Sequence, residues 1–152
     1  MKLSALLTPD RVMLDVKEKN KSALLSQMVA ALAALGGVAD PAVLDKEIKE
    51  REELGNTGIG RGIGFPHSKS TQVHDIMVLL ARPAKPIEYG AIDNTPVSIV
   101  LMIVAPADGD NNEYLHTMAR ISRLLGKSDV RQKILAAASP QEVVDIVKTY
   151  ET

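Results

Sequence analysis

The sequence predicts an α/β fold, a three-layer αβα sandwich with a central mixed β-sheet of about five strands flanked by helices. Three observations lead there. Segments whose apolar residues recur at helical spacing alternate with short apolar runs, the order that builds a sheet covered by helices. Two of those runs, Ile76 to Ala81 and Val97 to Val104, are nearly continuous and rich in β-branched residues, as in strands buried on both faces. The chain of 152 residues suits a single domain, 1–152, able to bury roughly two thirds of its unfolded surface around one core.

In chain order, Val12-Met-Leu-Asp-Val16 is expected to open the sheet. Leu24, Leu25, Met28, Leu32 and Leu35 recur at helical spacing, so a helix is expected from about Ser22 to Leu35, stopped by Gly36-Gly37. Asp40-Pro41 reads as N-cap and first helical residue of a second helix ending at Gly55, with Leu44, Ile48 and Arg51 on one face. Pro83, Pro86, Gly90 and Asp93-Asn94 mark turns between the two apolar strands, with room for a short Ile87-Glu-Tyr89 segment. A helix is expected from an N-cap at Asn111 or Asn112, burying Leu115, Met118, Ile121, Leu124 and Leu125, with His116, Arg120 and Arg123 on the opposite face. Ser128 is expected to cap the next helix. Ser139-Pro140-Gln141-Glu142 reads as a capping box opening the last one.

Composition removes several classes of function. The formal net charge is −1, the basic residues are dispersed and aromatics make up 3%, so neither nucleic acid nor a membrane surface is an expected partner. There is no cysteine, which removes disulfides, thiolate metal sites and a thiol nucleophile. The three histidines, His67, His74 and His116, show no paired spacing for a metal. The opening residues are broken by Pro9 too early for a signal peptide. No apolar run approaches the ~20 residues needed to span a bilayer, so a cytoplasmic location is expected. Met28, Met77, Met102 and Met118 fit element interiors.

The chemistry concentrates between Arg51 and Lys69. Five of the ten glycines fall between Gly55 and Gly64, and Phe65-Pro66 then delivers His67. Glycines at alternate positions permit positive φ and bring bare N–H groups close to a ligand, as in loops that cradle phosphate. Pro66 fixes its own φ and extends Phe65, so the imidazole is presented from a stiff mount. An imidazole of ordinary pKa is largely neutral at cytoplasmic pH and can act as a nucleophile. Phosphoryl transfer asks for in-line positioning and charge stabilisation, which backbone N–H groups, the Thr57 hydroxyl and Arg51 are suited to supply. The stretch has no Gly-Lys-Ser/Thr ending, no dinucleotide spacing of glycines and no nucleophile elbow. His116 lies near a helix start, where unpaired N–H groups favour anions, although a polar residue on a solvated face accounts for it equally well. His74, Lys69, Arg120 and Arg123 read as surface groups.

The run Arg51-Glu-Glu-Leu-Gly-Asn-Thr-Gly-Ile-Gly60 followed by Gly62-Ile-Gly-Phe-Pro-His67 resembles the motif of enzyme IIA components of the fructose/mannitol class in the bacterial phosphoenolpyruvate-dependent phosphotransferase system. The resemblance covers nearly the whole chain. Pro86-Ile-Glu-Tyr-Gly-Ala-Ile-Asp93, Pro96-Val97, Ala105-Pro106 and Ile121-Ser-Arg-Leu-Leu125 are most similar to the nitrogen-regulatory branch. It implies a phosphotransferase component in which His67 takes a phosphoryl group from a small histidine phosphocarrier protein (HPr- or NPr-like). It further implies His116 as a second active-site histidine, Arg51 as the phosphoryl-holding arginine, and Thr57, Gly58 and Gly60 as phosphate-binding positions, with no metal or organic cofactor. Gly64 departs from the family's usual alanine, Asn56 from serine and Ser68 from glycine, and Asp108 to Glu113 also differs. The implied output is regulation by phosphorylation state, acting on targets such as a potassium transporter or a sensor kinase. The alternatives are a sugar-transport enzyme IIA passing phosphate to a IIB domain, or a non-catalytic binding module of the same fold.

Overall fold

A computed structural model gives the structure of the chain and describes residues 2–55 and 58–151. A four-residue helix α1 (Leu3–Leu6) and a 3-10 turn (Pro9–Arg11) lead into strand β1 (Val12–Val16). Helices α2 (Lys21–Ala34) and α3 (Pro41–Leu54) follow, then the short strands β2 (Gly58–Gly60), β3 (Ile63–Gly64) and β4 (His67–Ser70). The long strands β5 (Met77–Pro83) and β6 (Ile99–Pro106) precede α4 (Asn111–Leu125), α5 (Ser128–Ala136) and α6 (Pro140–Tyr150).

The sheet runs β1-β5-β6-β3-β2, and β4 also pairs with β6. β3 and β4 share one edge of β6, with Ile63 opposite Ile99 and His67 opposite Ile103, so six strands make a sheet five positions wide. Pairing is mixed: β1 with β5, β3 with β6 and β4 with β6 are parallel, whereas β5 with β6 and β2 with β3 are antiparallel.

β6 organises the core because its side chains alternate between two covered faces. Ile99, Leu101, Ile103 and Ala105 point into a half-core with Leu124 and Leu125 of α4, Ile134 of α5 and Val143 of α6. Val100, Met102 and Val104 point into the other, against Leu24, Met28 and Leu32 of α2 and Leu44 and Ile48 of α3. This strict period of two is what makes the layers distinct. Arg82, on β5, secures one of them: its Nη1 donates to the carbonyls of Ile134 (3.0 Å) and Ala137 (2.7 Å) at the end of α5.

Four local expectations are corrected. The stretch read as a glycine loop is a β-hairpin: Gly58 pairs with Gly64 and Gly60 with Ile63. Its central residues Arg61 and Gly62 both have positive φ (59° and 80°), as a two-residue hairpin turn of right-handed twist requires. The N-cap of α4 is Asp110, whose side chain accepts from Asn112 N, and not Asn111 or Asn112. Leu115 is half exposed, because α4 turns Tyr114, Thr117 and Ile121 inward and places residue 115 about 100° away. Ser128 is the first helical residue of α5 and makes no capping bond. The start of α6 is as expected, with Ser139 Oγ accepting from Glu142 N, although the Glu142 carboxylate reaches Ala138 N. Among the described residues no helix is long and apolar enough to cross a membrane.

Candidate phosphoryl-acceptor site

Helix α3 positions the first functional side chain. The Asp40 carboxylate accepts from Ala42 N and Val43 N, fixing the start of the helix, and Leu44 and Ile48 anchor its buried stripe. Arg51 continues that stripe one turn later and arrives at the sheet edge. Its Nη1 donates to Gly55 O (3.0 Å), folding the guanidinium over the helix end, where a positive charge also suits the helix dipole.

Strand β4 positions the second. Pro66 O accepts from Ile103 N (3.0 Å), pinning the strand to β6 at the residue before His67. The His67 ring is held twice by Phe65: Nδ1 lies 2.8 Å from Phe65 O, and the two rings stand 5.3 Å apart at 46°. Because a carbonyl oxygen only accepts, Nδ1 carries the proton, and the lone pair of the neutral ring falls on Nε2. That lone pair faces Arg51 Nη2 at 3.3 Å, a group that only donates. The two contacts select the same tautomer. The half-buried imidazole therefore offers a nucleophilic Nε2 beside a permanent cation.

His116 is exposed on α4 and borders a shallow hollow with Ala119, Arg120 and Arg123; it makes no hydrogen bond or ion pair with His67 or Arg51. His74 lines a separate cavity with Leu6, Ile76 and Asp110. Gly58 and Gly60 are ladder residues of β2, and Thr57 lies outside the described residues. The hairpin turn is closed by Asp93, whose Oδ2 accepts from Arg61 N (2.9 Å) and whose Oδ1 accepts from Thr95 N (3.0 Å). These two N–H groups hold the Asp93 carboxyl below the ordinary aspartate pKa.

Two groups not chosen from the sequence lie on the α4 side. Lys69, two residues beyond His67 on β4 and so on the same strand face, places Nζ 5.6 Å from the Tyr114 ring. Tyr114 is buried in α4; burial raises its phenol pKa, and the charge of Arg51 acts on it in the opposite direction. The signal for Tyr114 was present as helical spacing with Met118, Ile121 and Leu125, hidden by the more apolar Leu115 beside it. Among the described residues no three His, Asp or Glu side chains converge as a metal site.

The family model described as phosphoenolpyruvate-dependent sugar phosphotransferase system, EIIA 2, matches residues 5–150. A fructose-specific EIIABC component of Bacillus subtilis is 32% identical over 99% of this chain, and the chain spans 24% of that protein's length. A nitrogen regulatory protein of Bradyrhizobium diazoefficiens is 31% identical over 97% of this chain and 95% of its own. The crystal structure of nitrogen regulatory protein IIA-Ntr from Neisseria meningitidis superimposes with a TM-score of 0.89 at 23% identity, covering 95% of this chain and 98% of that one, a likeness of fold.

Proposed function

Because the chain belongs to the EIIA 2 family of the phosphoenolpyruvate-dependent sugar phosphotransferase system, we propose that His67 Nε2 is its phosphoryl acceptor. The observation that carries the reading is the doubly fixed imidazole: Nδ1 donates to Phe65 O, and Nε2 accepts from Arg51 Nη2, the cation that would meet an incoming phosphoryl group. The donor is a phosphohistidine on a small carrier protein of the HPr or NPr kind. Nε2 attacks phosphorus in line, a new P–N bond forms, and the electron pair of the breaking P–N bond returns to the donor ring. Arg51 meets the charge on the equatorial oxygens, and its guanidinium fork suits two of them. Thr57, Gly58 and Gly60 are assigned as phosphate-binding positions. His116 is exposed on α4.

The output is regulatory in this reading. A phosphoryl group adds roughly two negative charges at neutral pH, enough for a docking partner to tell the two forms apart. Similarity to a nitrogen regulatory protein along almost the full length of both chains supports it. The second reading, onward transfer to a IIB domain in sugar uptake, is supported by similarity to the fructose-specific component.

The test is incubation with a phosphoenolpyruvate-charged carrier bearing labelled phosphate. Label is expected on wild type and absent from His67→Ala; full labelling of the variant removes the proposal. Rapid discharge of the labelled protein by a sugar-specific IIB domain would replace the regulatory reading with the transport one.

A further inference from the structure

We propose that the Tyr114 hydroxyl is a second hydrogen-bond donor to the phosphoryl group on His67, holding it from the α4 side while Arg51 holds it from the α3 side. The inference rests on the reading of His67 as acceptor and assigns a residue to that site which its sequence motif does not contain.

Three observations bring Tyr114 to the same place. It points into the half-core that contains Phe65, whose carbonyl and ring hold His67, and Ile103, which pairs with His67. Lys69, on the same face of β4 as His67, sets its ammonium 5.6 Å from the Tyr114 ring. Arg51 stands on a helix of the opposite layer, yet its charge is felt at the phenol, and its Nη2 is 3.3 Å from His67 Nε2. The acceptor nitrogen, the guanidinium and the phenol therefore share one vicinity.

The state of the hydroxyl adds a reason for a ligand there. The Tyr114 ring is buried, while its hydroxyl makes no hydrogen bond among the described residues and is not one of the enclosed, unpartnered polar atoms, so it is free to donate to an incoming group. A phenol of ordinary pKa, about 10, is already protonated at neutral pH, and burial raises that of Tyr114, so the hydroxyl is a donor. The Lys69 ammonium beside the ring adds positive potential where phosphoryl oxygens would sit. His116 cannot take this part from the same helix. Two residues further on, it projects about 200° away from Tyr114.

The experiment compares the rate of labelled phosphoryl transfer from the charged carrier to wild type, Tyr114→Phe and His116→Ala. Phenylalanine keeps the ring packing and removes only the donor. Tyr114→Phe is expected to slow transfer about ten- to hundred-fold, as loss of a hydrogen bond to a charged group does, and to shorten the lifetime of the phosphohistidine with its urea midpoint unchanged. A wild-type rate in Tyr114→Phe, or a larger loss in His116→Ala, overturns the proposal and leaves His67 as acceptor. Wild type unlabelled at His67 overturns both readings together. A second measurement needs no variant: the 13Cζ resonance of Tyr114 shifts when His67 is phosphorylated, with Tyr150 as internal reference. An unmoved Tyr114 resonance defeats the inference.

Discussion

Gly64 lies directly beneath the Tyr89 ring, so closely that a Cβ on it would stand 3.0 Å from Tyr89 Cζ. Tyr89 is buried, and the ammonium of Lys21, which is paired with Glu52 of α3, sits 4.2 Å from its ring centroid. The glycine that departs from the family's usual alanine is thus the space that seats this tyrosine. Gly64→Ala is expected to destabilise the fold by about 1–3 kcal/mol, the usual cost of overpacking a filled site. Urea unfolding measures it. Combined with Tyr89→Leu the cost should be less than the sum of the two single changes, and strict additivity would show that the ring and the glycine do not interact.

The contacts of His67 select its Nδ1–H tautomer, which on the proposed reading leaves Nε2 as the acceptor nitrogen. Unphosphorylated protein should show the Nδ1–H tautomer in 15N spectra of the imidazole, and the phosphorylated protein should carry its phosphorus on Nε2. A 15N–31P coupling on Nδ1 contradicts the geometry, because that nitrogen is engaged by Phe65 O.

Arg51 is the cation nearest the reacting atom among the described contacts. Its replacement by alanine should slow phosphoryl transfer by about 10²–10³-fold, the range found when one preorganised charge-stabilising donor is removed. Quench-flow with labelled carrier reads the rate. Arg51→Lys keeps the charge without the planar fork and should recover only part of it.

Asp93 gives the hairpin a dependence on acidity. Its carboxyl is held below the ordinary value by Arg61 N and Thr95 N. Its contribution to stability is therefore complete above the unfolded aspartate pKa, about 4, and is lost as pH falls through the lowered folded value. The amide protons of Arg61 and Thr95 should titrate with an inflection below that of a free aspartate. In Asp93→Asn that inflection disappears. Ordinary inflections at both amides would show that the carboxylate does not close the turn.

Legibility in the sequence followed the size of the apolar signal. β5, β6, α2 and α3 carry long periodic patterns or strong caps and were readable as such. β2, β3 and β4 are two to four residues long, with one isoleucine each in β2 and β3 and none in β4, too short to show an apolar period, and they exist because β6 offers an edge and Asp93 closes their turn. Arg51 and His67 were readable as a pair because one continues the buried stripe of α3 and the other follows a rigid Phe-Pro step. Tyr114 was hidden for the opposite reason. Leu115 is the more apolar neighbour, and only the helix phase set by Asp110 decides which of the two turns inward.

The position of β4 at the rim of the sheet has one more consequence. α3 packs in one layer and α4 in the other, and on the proposed reading of His67, with onward transfer, a phosphoryl group would reach Nε2 and leave it along the same in-line direction. Giver and receiver cannot be seated together. In a relay built this way they take turns at one berth, and an excess of either excludes the other.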